Sequence, residues 1–223
     1  MGRTLTHAEA RRVYDRIGAR QDSQAFYEDA AIETLVAHAD LAGVRSVFEF
    51  GCGTGRFAAG LLEQELSHDA RYVGIDVSPV MVSIARDRLA RFGDRATVLL
   101  TDGGSAIGVP DGSFERFVST YVFDLLSEEQ ISAVIREAGR ILAPGGRLGV
   151  VSLCCGFTPG TRFVERVWRR IHEFKPALVG GCRPLDLAPF FEAEGTETGW
   201  TVRYRERLSL FAVPSEVFVV ERH

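Results

Sequence analysis

Apolar and polar positions along the chain change period several times, and the changes mark out elements. Thr6-His7-Ala8-Glu9 has the T-x-x-E form of a capping box and predicts a helix start. A second helical stretch runs from about Ser23 to Asp40, with Phe26, Ala30, Leu35 and Ala39 among its apolar positions. Short apolar runs then alternate with helical ones. Ser46–Phe50, Tyr72–Asp76, Ala96–Leu100, Phe114–Thr120 and Arg147–Leu153 read as strands. Helices are predicted from Arg56 to about Leu66, after Ser78-Pro79, and after the capping box Ser127-Glu128-Glu129-Gln130. Strands alternating with helices predict a parallel sheet covered on both faces. Residues 157–195 break the alternation with helical and loop-rich sequence. Two strand-like runs, about Thr201–Phe211 and Ser215–Glu221, are joined at Val213-Pro214 and predict a closing antiparallel hairpin.

Between the first strand and its helix stands Glu49-Phe50-Gly51-Cys52-Gly53-Thr54-Gly55. Glycines there let the backbone turn sharply and approach a ligand without Cβ clashes. The following helix adds unpaired N–H groups and a positive dipole end. The loop lies at the carboxyl end of a strand, where open α/β sheets bind ligands. Asp76 ends the next strand, placed so that its carboxylate can accept both hydroxyls of a ribose. The expected ligand is therefore a nucleoside-containing cofactor. A dinucleotide fingerprint would need a third glycine where Arg56 stands, and no G-K-[ST] of a Walker loop exists.

These residues resemble the class I S-adenosylmethionine-dependent methyltransferases, over about residues 44–155. Glu49 through Gly55 is similar to the family's first motif, and Asp76 to its ribose-binding acid, followed by Val77-Ser78-Pro79-Val80-Met81. Thr101-Asp102-Gly103 resembles the adenine-contacting motif, Phe114 to Asp124 the fourth-strand motif, and Pro144-Gly145-Gly146 the turn before the fifth strand. The resemblance implies a Rossmann-like α/β fold: a seven-stranded, mostly parallel sheet of order 3-2-1-4-5-7-6, its last strand antiparallel, with helices on both faces. It implies S-adenosyl-L-methionine as cofactor, with S-adenosyl-L-homocysteine as product. Its contacts would be Glu49, Gly51, Cys52, Gly53, Gly55, Asp76, Val77, Met81, Asp102, Gly103, Thr120 and Tyr14.

One domain is expected: a helical lid (1–43), the cofactor core (44–156), a substrate cap (157–195) and the closing hairpin (196–223). Val13-Tyr14-Asp15-Arg16 resembles the Tyr-Asp lid helix of the ubiquinone and small-molecule branch. On that basis Tyr14, Tyr27, Tyr121, Trp168 and Arg183 are the candidate substrate contacts. Tyr121, Asp124 and His172 are the candidate catalytic groups, and Arg16 and Arg20 could neutralise a carboxylate. In the cap, Phe163, Val164, Val167, Trp168 and Ile171 make an apolar stripe, with Arg162, Arg166, Arg169 and Arg170 towards the other side. The stripe reads either as a core face or as a wall of an apolar substrate pocket.

Composition narrows the chemistry. The 223 residues carry a net charge of −4, and 46% are hydrophobic and 25% charged, which excludes a disordered chain. Lys175 is the only lysine, so lysine-centred catalysis has almost no candidate. A pI near 5.8 provides no basic field for nucleic acid. Cys52, Cys154, Cys155 and Cys182 include no C-x-x-C, so neither a metal site nor a disulfide framework is expected. No apolar run is long enough for a membrane span and no export signal is recognisable, which suits a cytoplasmic protein. The expected partner is a small or lipid-like methyl acceptor, with a homodimer possible. Two alternatives are a protein or RNA methyltransferase and a non-catalytic binding protein of the same fold.

Overall fold

The computed structural model describes residues 4–191 and 199–223, with the side chains of residues 24–26 and 177 excepted. Part of the expected cap and the start of the expected hairpin segment, residues 192–198, lie outside the described residues.

Seven strands form one sheet of order β3-β2-β1-β4-β5-β7-β6. They are β1 (Ser46–Phe50), β2 (Arg71–Asp76), β3 (Ala96–Leu100), β4 (Phe114–Thr120), β5 (Leu142–Leu153), β6 (Trp200–Leu210) and β7 (Val213–Arg222). Strands β1 to β5 pair in parallel, and β7 runs antiparallel to both neighbours. The helices are α1 (His7–Ile17), α2 (Ala25–His38), α3 (Arg56–Gly60), α4 (Pro79–Leu89), α5 (Glu128–Ile141) and α6 (Pro159–Phe174). The fold implied by the resemblance is the fold observed.

The sheet is buried on both faces, so its central strands carry apolar residues pointing both ways. In β1 and β7, Val47, Val217 and Val219 join the core beneath α2, α3 and α4. Phe48, Phe50, Phe218 and Val220 point the other way, into the core beneath α5. Both predicted capping boxes are formed, at Thr6 with Glu9 and at Ser127 with Gln130.

Several boundaries differ from the sequence reading, among them the start of β5, at Leu142 and not Arg147. The segment before α2 is a tight 3-10 run (Gly18–Gln24), so the α-helix begins two residues later than predicted. The helix after β1 widens into a π-turn over Leu61–Glu65. The hairpin turns at Phe211-Ala212, not at Val213-Pro214, and both turn residues have left-handed φ (51° and 61°). Two residues at positive φ match the twist of the flanking strands, which leaves Val213 and Pro214 to start β7.

Phe117 is fully buried, with its ring 5.3 Å from that of Phe48 and 6.3 Å from that of Phe50. Phe117→Ala is expected to cost about 3–5 kcal/mol through lost burial and a residual cavity. Urea unfolding monitored by circular dichroism measures this, and a cost below about 1 kcal/mol would contradict this packing.

Candidate functional site

The glycine loop turns because its glycines have no Cβ. Gly51 sits at φ +78°, and a Cβ there would lie 2.4 Å from Cγ2 of Val122. The amides of Gly51 and Cys52 both donate to the Ile75 carbonyl, at 2.9 and 3.0 Å, and so bind the loop to the end of β2. Asp76 then fixes its far side. Its Oδ2 accepts from the Gly53 amide at 2.9 Å, and its Oδ1 from the Ser78 amide at 2.8 Å. Burial raises the Asp76 carboxyl above its usual range, against the pull of these amides.

This loop and Asp76 wall a large cavity at the carboxyl ends of the strands. Its empty space is about 1160 Å³, counting the solvent at its mouth. Past Asp76 it is lined by Val77, Met81, Thr101, Gly103, Leu125 and Gln130. Glu49, Cys52, Thr54 and Thr120 line its wall. Leu5, His7, Ala10, Tyr14, Gln21 and Asp22 of the N-terminal segment cover it. That segment is held by polar contacts: Ser78 Oγ donates to Asp15 at 2.6 Å, Thr54 Oγ1 to Asp22 at 2.6 Å, and Arg88 to Asp22 at 2.6 Å.

At the α2 end of the cavity stands Glu28, only 7% exposed. Its Oε1 has no hydrogen-bond partner among the described residues, and its Oε2 lies 3.9 Å from the Arg56 guanidinium. Burial lifts its carboxyl to about 7, in spite of Arg56. Tyr121 lines the cavity beside it at a left-handed φ of 56°, its ring edge-on to Tyr27 at 6.0 Å. The Tyr121 phenol is hydrogen-bonded to Ser215 Oγ at 2.9 Å. Glu49, fully enclosed, accepts a 2.5 Å hydrogen bond from Tyr72, and burial raises it to about 8.

Ten expected cofactor contacts line this cavity: Glu49, Gly51, Cys52, Gly53, Asp76, Val77, Met81, Gly103, Thr120 and Tyr14. Two others lie elsewhere. Gly55 faces α4, where a Cβ would meet Ala85 at 3.1 Å, so it serves helix packing. Asp102 is exposed and caps the Gly104 amide at 2.8 Å.

Several expected catalytic and substrate residues are also absent from the lining. Asp124 is wholly buried behind Tyr121, accepts from the Leu153 amide at 3.4 Å, and is raised to about 7 by burial. His172 is buried against the Gly181 carbonyl at 3.2 Å, with its pKa lowered by burial. Trp168 Nε1 donates to the Cys182 carbonyl at 2.9 Å, and Arg183 to the Leu126 carbonyl at 2.7 Å. These side chains hold the cap together and do not face the cavity. Tyr27 is not in the lining; its ring packs edge-on against Tyr121, which is. Arg16 and Arg20 are exposed, and Arg56 is the arginine that lines the cavity. The stripe on α6 divides: Trp168 packs on the core while Phe163, Val167 and Ile171 face solvent, and none of its residues lines the cavity. The cysteines are free, and no cluster among the described residues could hold a metal.

Glu28, Asp22 and Arg56 were not picked out by sequence. Glu28 is one acid on a helix of mostly apolar residues, and only its burial distinguishes it.

Three buried carboxyls ionise in the folded chain near 7 (Glu28, Asp124) and 8 (Glu49), against about 4 in an unfolded chain. Their protonated forms favour the fold. This contribution is complete below about pH 4 and is lost as pH rises through 7 to 8. The ligand-free protein is therefore expected to melt lower at pH 8.5 than at pH 6, and Glu49→Gln to reduce the difference. A differential scanning calorimetry series measures it, and a melting temperature that rises over this window would contradict the assignment.

A family model described as a methyltransferase domain matches residues 47–146. A demethylmenaquinone methyltransferase of Tropheryma whipplei is 33% identical over 169 residues, covering 73% of this chain and 64% of that protein. The chain thus spans a little under two thirds of that relative. Among solved structures, the [4+2]-cyclase SpnF superposes with a TM-score of 0.74 at 18% identity, over 99% of this chain and 98% of that one. Geranyl diphosphate C-methyltransferase of Streptomyces coelicolor, solved with S-adenosyl-L-homocysteine, gives 0.73 at 12% identity, over 97% of each chain. With its glycine loop, the acid ending β2 and the 3-2-1-4-5-7-6 sheet, the chain matches the class I S-adenosylmethionine-dependent methyltransferases in fold, and over residues 47–146 in their domain model.

Proposed function

We propose that the protein transfers a methyl group from S-adenosyl-L-methionine to a small or lipid-like acceptor bound beside Glu28 and Tyr121. The observation that carries this reading is one cavity with cofactor-type donors at one end and, at the other, a buried carboxyl whose Oε1 has no hydrogen-bond partner among the described residues.

The donor set fits the cofactor. Asp76 would hold the ribose diol. Val77, Met81 and Leu125 would sandwich the base, with Gly103 and Gln130 at its edge. Asp22 offers negative charge to the ammonium and sulfonium, and Arg56 offers a cation to the carboxylate. The cofactor supplies a methyl group already activated on a sulfonium, so the chain's task is positioning and water exclusion. The N-terminal segment acts as the lid. Tyr14 and Tyr121 wall the acceptor compartment, and Glu28 Oε1 takes the proton that a hydroxyl or carbon acid loses as the new bond forms. Asp124 supports Tyr121 from behind and does not reach the acceptor.

A mostly apolar compartment with one carboxylate suits an uncharged acceptor. Demethylmenaquinone, named for the T. whipplei relative, is the first compound to assay in its reduced form. The fold alone does not fix the reaction, since SpnF is named a cyclase.

Methyl transfer is expected to fall as pH drops below about 7, where Glu28 protonates. Glu28→Gln is expected to lower kcat about 10²–10⁴-fold with little change in cofactor affinity. Asp124→Asn is expected to keep the acid limb. Radiolabelled transfer paired with calorimetric cofactor titration measures these effects, and full activity in Glu28→Gln would remove it as the base.

A further inference from the structure

Helix α6 is joined to the protein by one side only. Thr161 and His172 are buried, and Trp168 packs on the core and bonds to the 180–182 turn beneath. The opposite side carries Phe163 (62% exposed), Val167 (44%), Ile171 (37%) and Phe174 (89%), spaced about one turn apart or a multiple of it. Phe163 and Phe174 stand about 16 Å apart along the axis at ~1.5 Å per residue. Contiguous exposed aromatic and aliphatic side chains on a soluble fold mark a docking surface.

The charges around this face select the occupant. Arg162, Arg166 and Arg170 flank it and are exposed, with the chain's only lysine, Lys175, just beyond. None of the four forms an ion pair among the described residues, and Arg169 alone of the helix's cations does so, with Glu165 at 2.7 Å. The segment 159–175 thus holds five cations against two carboxylates, in a chain whose net charge is −4. A second copy docked by a twofold would bring Arg166 and Arg170 against the same cations of its partner, which disfavours that occupant. An anionic lipid surface accepts both features: phenylalanines enter the acyl boundary while arginines reach the phosphates. No helix among the described residues is long and apolar enough to cross a membrane, so attachment would be in the plane of the interface.

We propose that α6 docks the protein onto anionic membrane surfaces through Phe163, Val167 and Phe174, with Arg166 and Arg170 on lipid headgroups. The surface stands independently of the methyl-transfer reading. The 180–182 turn held by Trp168 and His172 also abuts Tyr14, so docking would set the acceptor end of the cavity beside the bilayer.

Vesicle flotation of the full chain tests this, using phosphatidylcholine alone and phosphatidylcholine mixed with phosphatidylglycerol. Binding is expected to the anionic vesicles, about tenfold or more weaker to neutral ones, and to weaken in high salt. Phe163→Ser/Phe174→Ser and, separately, Arg166→Gln/Arg170→Gln are each expected to lower binding about tenfold or more, with unchanged thermal melts since all four side chains are exposed. The arginine pair keeps the test decisive if the phenylalanine pair alters folding. No binding to anionic vesicles, or binding unaffected by the arginine pair, would overturn the proposal. So would a concentration-dependent dimer in sedimentation that Phe163→Ser/Phe174→Ser dissolves while vesicles remain unbound.

Discussion

The half-buried carboxylate of Asp76 is the constraint on which the site depends. It accepts from Gly53 on one side and Ser78 on the other, and so holds the loop after β1, the end of β2 and the start of α4 in one geometry. The sheet makes this junction possible. From β1 the chain steps outward to β2 and β3, then returns to place β4 on β1's other side. The connections diverge there, and a crevice opens at the carboxyl ends of the strands.

Cover and core are built differently. The sheet and its flanking helices are joined by apolar packing on both faces. Helix α1 buries none of its residues fully and is held by the hydrogen bond that Asp15 accepts from Ser78 and by His7 paired with Gln130. Each such bond contributes about 0.5–1.5 kcal/mol net. A segment tied this way opens at lower free energy than the core. That suits a cavity whose nucleoside ligand must enter and leave while Glu28 and Tyr121 stay positioned by α2 and β4.

The fold was legible because each element carried its own period. Short apolar runs, proline after Ser78, and the two capping boxes located elements without tertiary information. Asp76 was legible by its place at a strand end. What sequence could not supply was direction. The stripe on α6 announced an amphipathic helix but not which side faced inward. Thr161 and His172 turn inward because Trp168 and His172 bond backbone carbonyls of the 180–182 turn, and the phenylalanines are left outside. His172 therefore lies in the cap and not at the cavity. Arg56 stands where a dinucleotide fingerprint would need its third glycine; here Gly55 makes the close approach to α4 and Arg56 lines the cavity. Glu28 became visible only when three elements enclosed it.

The most direct test is a crystal structure of the protein with S-adenosyl-L-homocysteine. The account predicts ribose hydroxyls on Asp76, the amino-acid end towards Asp22 and Arg56, and the sulfur directed into the compartment of Glu28 and Tyr121. Binding with the ribose away from Asp76, or with the sulfur turned away from Glu28, would contradict it.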